Sequence, residues 1–339
     1  MRSGIIAAGN WIRDHVKTVD VWPPQDGLAN IIDQTTGNGG GPYNILKDLS
    51  RMRAPFPLRG IGLVGDDADG RAILADCASS GIDTEGLRTA PGLSTSYTDV
   101  MAVRGSGRRT FFHHRGANAL LGPEHFALEG SEDRILYLGY LLLLDSLDAA
   151  GGDGKPRAAE VLRRARTAGL TTALDLVSAA SGRFGSSVAP VLPEVDVLFA
   201  NEYEAGELTG IVIGDSPSLD PKAAEAAARA LITMGVRGWA IVHFPRGACA
   251  CSGDGNVVWQ PSVRVPPEKI SCAVGAGDAL AAGVLFGIHE GWPMEESLEL
   301  GASTAAASLL HPTCSEGVRP FEECLAFGRA HGFWDLTRG

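Results

Sequence analysis

Gly275, Ala276, Gly277 and Asp278 are the residues whose types and spacing point most directly to chemistry. Three small residues run straight into a carboxylate, and an apolar helical pattern follows through Leu280, Val284 and Ile288. Gly291 and Pro293 then stop that pattern. A helix entered through small residues leaves its first N–H groups bare. With the positive end of the helix dipole, those groups form an anion site. Asp278 in the same turn can cap the helix, or stand as a base whose ionised form the dipole favours. An anion hole beside such a base is what phosphoryl transfer to an alcohol needs. Four residues alone are equally a glycine-rich turn with an acidic cap. The rest of the chain has to decide.

A second glycine-rich entry lies far upstream. Gly37, Gly39, Gly40 and Gly41 precede an amphipathic pattern at Ile45, Leu46, Leu49 and Met52, with Asn44 just before it. Ile5 to Ala8 reads as a buried strand ending at Gly9 and Asn10, with Asp14 just beyond. Gly60 to Val64 is a strand that turns through Gly65–Gly70 into a helix containing Ile73 and Leu74; residues 81–87 read as a connection. From Arg134 onward, strands at 135–138, 172–176, 195–200 and 239–243 alternate with helical stretches at 158–168 and 223–234. A strand at 248–251 and a small-residue helix at 295–310 complete the series. This alternation predicts an α/β fold of three layers, with a mainly parallel sheet covered on both faces. Residues 11–38 and the hairpin pattern at 97–103 and 109–113, with its glycine turn at 105–107, do not fit inside such a sheet. They predict a small β lid. The expected division is 1–12, 39–93 and 118–339 as core, and 13–38 and 94–117 as lid. Apolar side chains on the lid's exposed face would suit a second copy, so a homodimer through the lid is expected.

Composition narrows the partners. The 339-residue chain carries a formal net charge of −11, which argues against nucleic acid or an anionic membrane, since both call for a basic face. Six cysteines without a C-x-x-C pair suit reduced thiols in a cytoplasmic protein. No apolar run approaches the roughly 20 residues of a membrane helix, and the N-terminus lacks the apolar region of a signal peptide.

The motifs together make the chain resemble a ribokinase-like (PfkB) carbohydrate kinase. Gly39, Gly40 and Asn44 match the first fingerprint of that family, and Gly275 to Asp278 match the second. Between them, Gly9–Asp14, Val64–Gly70, Gly116–Leu120 and Asn201 with Glu204 match further motifs in order. The resemblance implies that Asp278 is the catalytic base and that the amides of Gly275, Ala276 and Gly277 hold the transferring phosphoryl group. It implies that Asp14, Gly39, Gly40, Asn44 and Asn118 bind the acceptor. Asn201, His243, Gly247, Gly277 and Ser303 would meet the nucleotide, with Asn201 and Glu204 placing Mg²⁺. ATP would be the donor and a small sugar or sugar acid the acceptor. Asn201 with Glu204 is also an ordinary capping box, and Asp14 and Asn44 each have a plain polar or capping reading.

The chain departs from the family in four places. Cys272, Ala273 and Val274 stand where members often carry Asp-Thr-Thr, which puts a monovalent-cation site in doubt. The nucleotide loop reads His243-Phe244-Pro245-Arg246-Gly247, where His243 either bonds a phosphate or satisfies a strand end. Ser303 replaces an Asn, and Asp175-Leu176-Val177 lacks the Asn of the usual sugar-kinase strand. A nucleoside kinase of the same fold and a non-catalytic binding protein on this scaffold therefore stay open. A dinucleotide-dependent dehydrogenase is disfavoured, because no G-x-G-x-x-G follows the first strand.

Overall fold

The computed structural model describes residues 2–105, 109–179, 182–214, 220–313 and 315–336. Its first half runs β1 (Ile5–Gly9), β2 (Ile12–Val19), β3 (Ile31–Gly39), α1 (Gly41–Arg51), β4 (Leu58–Gly65), α2 (Ala68–Ser79), β5 (Asp83–Ala90), β6 (Ser96–Val103), β7 (Arg109–His114) and β8 (Ile135–Gly139). Then follow α3 (Asp145–Asp148), α4 (Arg157–Thr167), β9 (Thr171–Asp175), β10 (Val197–Asn201), α5 (Glu202–Thr209), α6 (Pro221–Thr233), β11 (Trp239–Phe244), β12 (Gly247–Ser252) and β13 (Val257–Pro261). The chain ends with α7 (Ala276–Glu290), α8 (Met294–Ser308) and α9 (Phe321–His331).

Nine strands form one sheet in the order β13-β12-β11-β10-β9-β8-β1-β4-β5. The pairs from β11 to β5 are parallel, and β12 and β13 close one edge antiparallel. Alternate residues of each central strand enter opposite cores. Ile6, Ala8, Leu136 and Leu138 pack with α4 and α6, while Ile5, Ala7, Ile135 and Tyr137 pack with α1, α7 and α8. Such strands read as unbroken apolar runs because both faces are covered. Helices α7 and α8 touch closely through glycine: a Cβ on Gly283 would lie 2.7 Å from the Cα of Gly301.

A second sheet of four strands has the order β3-β2-β6-β7. It contains the strands expected outside the βαβ series. Only Asn10 and Trp11 separate β1 from β2, so this sheet springs directly from an interior strand of the large one. Trp11 anchors the junction. It is fully buried, its indole N–H donates to the Ile61 carbonyl at 2.9 Å, and Gly60 and Gly62 leave it room. A Cβ on Gly62 would sit 2.2 Å from the indole ring.

Three elements differ from expectation. Residues 81–87 are largely strand: β5 is the polar edge of the large sheet, with Leu87 buried and its neighbours facing water. An edge strand buries one side chain in several, so its pattern resembles a loop. β13 and α9 were not anticipated either. The hairpin turn beyond Gly105 and Cys314 lie outside the described residues. The described cysteines are all free thiols. Among the described residues no helix is long and apolar enough to cross a membrane.

Candidate active site

The carboxyl ends of the parallel strands converge on one cavity of about 810 Å³. In an open parallel sheet this is where ligands bind. Asn10 follows β1, Tyr140 follows β8, Asp175 ends β9, Asn201 ends β10, and His243 lies near the end of β11; all five line the cavity. Asn201 and His243 are register partners. The second sheet forms the opposite wall. Asp14, Thr98 and His113 are cross-strand neighbours on β2, β6 and β7, and they face the same cavity.

Asp278 is the centre of the arrangement. It lies in the first turn of α7, behind Gly275, whose φ of 80° makes glycine the natural residue there. Its buried carboxylate accepts from the Asn44 amide at 2.8 Å and from the Tyr140 hydroxyl. Asn44 reaches it because Gly40 starts α1 at φ 94° under the strand end, where a Cβ would lie 2.0 Å from the Asn10 carbonyl oxygen. Burial pushes Asp278 up to about 6, and the Tyr140 and Asn44 hydrogen bonds restrain that rise. It is therefore mostly ionised at neutral pH yet basic enough to take a proton. Gly275 and Gly277 line the cavity beside it. Ala276 does not, and its amide makes a long bond to the Ala273 carbonyl at 3.4 Å.

On one side of Asp278 lie Asn201, Glu204 and His243. Asn201 and Glu204 do form the reciprocal capping box of α5: the Asn201 side chain accepts from the Glu204 amide and the Glu204 carboxylate accepts from the Asn201 amide, each at 2.9 Å. They also line the cavity. Glu204 is buried and pushed up to about 7 by that burial. Asp175 is raised too, by burial and then by the charges of Asp278 and Glu204. His243 packs against Gly277, where a Cβ would be 3.2 Å from its ring. Burial lowers it to about 4, so it is neutral.

On the other side lies Asp14, whose carboxylate sits where a side chain on Gly39 would be: a Gly39 Cβ would lie 2.2 Å from Oδ2. Burial, then the Asp278 charge, push Asp14 up to about 7, against the pull of Arg13. Arg109 of β7 also lines the cavity, and its guanidinium donates to the Cys272 thiol at 3.3 Å. The same thiol accepts the Val274 amide at 3.3 Å. A side chain of the second sheet thus touches the loop that leads into Gly275.

Besides Ala276, and Gly39 behind the Asp14 carboxylate, three expected residues do not line this cavity. Asn118 is fully buried, and its amide holds the Trp11 backbone through its oxygen at 3.3 Å and its nitrogen at 3.0 Å. Ser303 is buried facing α9, where a Cβ on Gly328 would meet its Oγ at 2.2 Å. Gly247 is fitted between strands, with a hypothetical Cβ 2.7 Å from the Gln260 carbonyl. None of the three lines the cavity described for the other residues. Conversely, Asn10, Thr98, Arg109, His113, Tyr140 and Asp175 line it without having been singled out as site residues. For Asn10, Tyr140 and Asp175 the sequence carries a signal: each ends or follows an apolar strand of the βαβ series, as Asn201 does.

The chain is similar to a known family and to known proteins. The model described as pfkB family carbohydrate kinase matches residues 6–321. A 5-dehydro-2-deoxygluconokinase of Clostridium perfringens is 23% identical over 297 residues, covering 85% of this chain and 83% of that protein. An ATP-dependent ribose-1-phosphate kinase of Halopiger xanaduensis is 30% identical over 205 residues, covering 60% of this chain and 63% of that one. In structure, the ribokinase of Arabidopsis thaliana complexed with ribose and ATP superposes with a TM-score of 0.77 at 19% identity, over 96% of this chain and 99% of that one. The ribokinase of Thermotoga maritima gives a TM-score of 0.77 at 21% identity with the same coverage, 96% and 99%. These two likenesses bear out the ribokinase-like α/β fold. The chain belongs to the pfkB family of carbohydrate kinases, phosphotransferases with an alcohol group as acceptor.

Proposed function

We propose that this cavity moves the γ-phosphoryl group of ATP to a hydroxyl of a sugar or sugar acid, with Asp278 as the base. The observation that carries the assignment of the base is the Asp278 carboxylate itself, held by Asn44 and Tyr140 beside the α7 entry with a pKa of about 6. Asp278 takes the proton of the attacking hydroxyl as its oxygen bonds to the γ-phosphorus. The bond to the β–γ bridging oxygen breaks, and that oxygen leaves with ADP. The amides of Gly275 and Gly277, at the entry to α7, are the donors set to face the charge on the transferring group. Arg109 adds a positive charge from the lid, next to the loop that carries those amides. Asp14 and Asn44, with Gly39 and Gly40 clearing space, hold the acceptor's other hydroxyls.

The donor set suits Mg²⁺ bound mainly through phosphate and water. Among the described residues no group of three or more metal-ligating side chains could enclose an ion. Yet the carboxyls of Asp175 and Glu204 face the cavity with raised pKa values, which a cation nearby would relieve. Mg²⁺ there would neutralise nucleotide charge. Cys272 offers a thiol where a carboxylate would favour a monovalent cation, and the guanidinium beside it already supplies positive charge.

The second sheet is the lid of this reading, 13–38 and 94–117. Its outer face exposes Trp22 stacked on Phe112 at 6.4 Å, along with Ile31. We assign that patch to a second copy of the chain, and the protein to the cytoplasm.

The test is an ADP-release screen of neutral sugars, sugar acids, sugar phosphates and nucleosides with Mg²⁺-ATP. A polyhydroxylated acceptor should turn over, and Asp278→Asn should lower kcat by about 10²–10⁴-fold. Turnover of nucleosides alone would overturn the acceptor class, and wild-type turnover in Asp278→Asn would remove the base.

A further inference from the structure

Asn10 stands out among the cavity residues that the mechanism above leaves unused. It is only 1% exposed. Neither the oxygen nor the nitrogen of its carboxamide has a hydrogen-bond partner among the described residues. Its backbone, by contrast, is fixed on two sides. Its N–H donates to the Gly139 carbonyl at 2.9 Å, and its own carbonyl lies close under Gly40. The side chain lines the cavity floor, between the strand end that carries Tyr140 and the helix that carries Asn44.

A buried amide with no partner is costly, and folded proteins keep few of them. This fold can satisfy an amide nearby when the role is structural: Asn118 uses both ends of its carboxamide on Trp11. Asn10 is in the opposite condition, and it faces the space that the acceptor has to fill. Where a sequence breaks the rule of satisfied burial inside a cavity, a ligand that completes the hydrogen bonds is the physical reason to expect.

A second unpartnered atom lies on the same cavity, in the second sheet. Among the described residues His113 Nε2 is buried without a partner, while Nδ1 lies 3.0 Å from the Thr98 hydroxyl. Burial lowers this imidazole to about 4, so it stays neutral, and one tautomer leaves Nε2 to donate while the other leaves it to accept.

We propose that Asn10 reads the acceptor: its amide nitrogen donates to one acceptor oxygen, its amide oxygen accepts from a neighbouring hydroxyl, and His113 takes a third oxygen from the lid side. The acceptor is then a polyol or sugar acid with adjacent oxygens, held on both faces. This rests on the reading of the cavity as a kinase site with its acceptor between Asp14 and Asp278. It adds two residues that select the acceptor without touching the transferred group.

Asn10→Leu is close in shape and removes both polar atoms. Three measurements on it separate the roles. First, the free variant should melt higher than the wild type, by about 2 °C or more, because an unsatisfied buried amide is gone. A structural amide would give a lower midpoint. Second, with the acceptor that turns over best in the screen, KM should rise about 10- to 100-fold, as expected for losing one or two hydrogen bonds to a buried amide. Third, KM for ATP should stay within about twofold. In addition, a deoxy analogue lacking one vicinal hydroxyl should lose affinity on the wild type and little more on Asn10→Leu, since the two changes remove one contact. Calorimetry of the same acceptor without ATP gives the binding term even if transfer is slow. An unchanged acceptor KM overturns the proposal, leaving an amide that only water meets. So does a higher ATP KM with the acceptor spared, or a lower melting midpoint. If the wild type turns over no acceptor, the kinase reading fails instead, a result visible before any variant is made.

Discussion

Removal of one hydroxyl, in Tyr140→Phe, should move the acid limb of the activity upward. Asp278 has two donors, the Tyr140 hydroxyl on one oxygen and the Asn44 amide on the other. Burial raises its pKa to about 6, and these two hydrogen bonds keep it from going higher. A hydrogen bond to a charged group contributes about 1.5–3 kcal/mol, and about 1.4 kcal/mol corresponds to one pH unit. Without the hydroxyl, Asp278 should titrate about one to two units higher, near 7 to 8. The sign follows from the base. Activity needs the carboxylate, so it is present above the pKa and lost as pH falls through it. At pH 7 the ionised fraction would drop from about 0.9 to between about 0.5 and 0.1, with recovery near pH 9. The ring of Tyr140 also packs over Gly41, where a Cβ would lie 3.1 Å from it, and phenylalanine keeps that packing. The assay is kcat against pH from 5 to 9 at saturating acceptor and ATP. Saturation matters because Asp14, at about 7, titrates in the free enzyme and would blend with Asp278 in kcat/KM. An acid limb that stays put or moves down in Tyr140→Phe would refute the argument. So would a loss of equal size at every pH, which would give Tyr140 a role other than tuning the base.

Two further expectations follow from the same cavity. Glu204→Gln keeps an acceptor for the Asn201 amide but removes the charge, so half-maximal activity should need about tenfold more Mg²⁺ with acceptor KM unchanged; full activity in excess chelator would contradict it. Sedimentation at micromolar concentration should show a dimer that Phe112→Asp weakens, because Phe112 stacks on Trp22 at the exposed lid face; a wild-type monomer would refute the interface and leave the lid itself untouched.

The fold was legible where burial on both faces leaves an unmistakable pattern. Ile5–Ala8, Ile135–Leu138 and Trp239–Val242 are apolar without interruption, and each lies in an interior strand. The edges were harder. β5 exposes Asp83, Glu85 and Arg88 while burying Leu87, so its pattern matches a connection as well as a strand. α9 packs through few buried side chains, Cys324 among them, and has no strong apolar stripe to announce it. The second sheet was legible by exclusion, since its segments break the βαβ alternation. Its unusual pairing was not: β2 and β6 run parallel across a long sequence separation, and no local signal encodes that.

In the site, glycine carried most of the legible information, because glycine is needed where backbone or carboxylate comes close. Gly39 and Gly40 mark where Asp14 and the Asn10 carbonyl approach, and Gly275 marks the turn into α7. The residues that remained hidden owe their place to strand register and not to a local motif. Tyr140 follows β8 by one residue, Asn10 follows β1 by one residue, and Gly9 and Gly139 are register partners. The two side chains are thus set at one end of the sheet by pairing across more than a hundred residues of sequence. Asn118 and Ser303 lie away from the cavity, since a polar residue near a motif can equally be turned inward against a neighbouring element. The contrast between Asn118 and Asn10 shows what sequence cannot carry. Both are buried asparagines near Trp11, and only the partners of their amide groups among the described residues distinguish one that fastens the fold from one left open at the cavity.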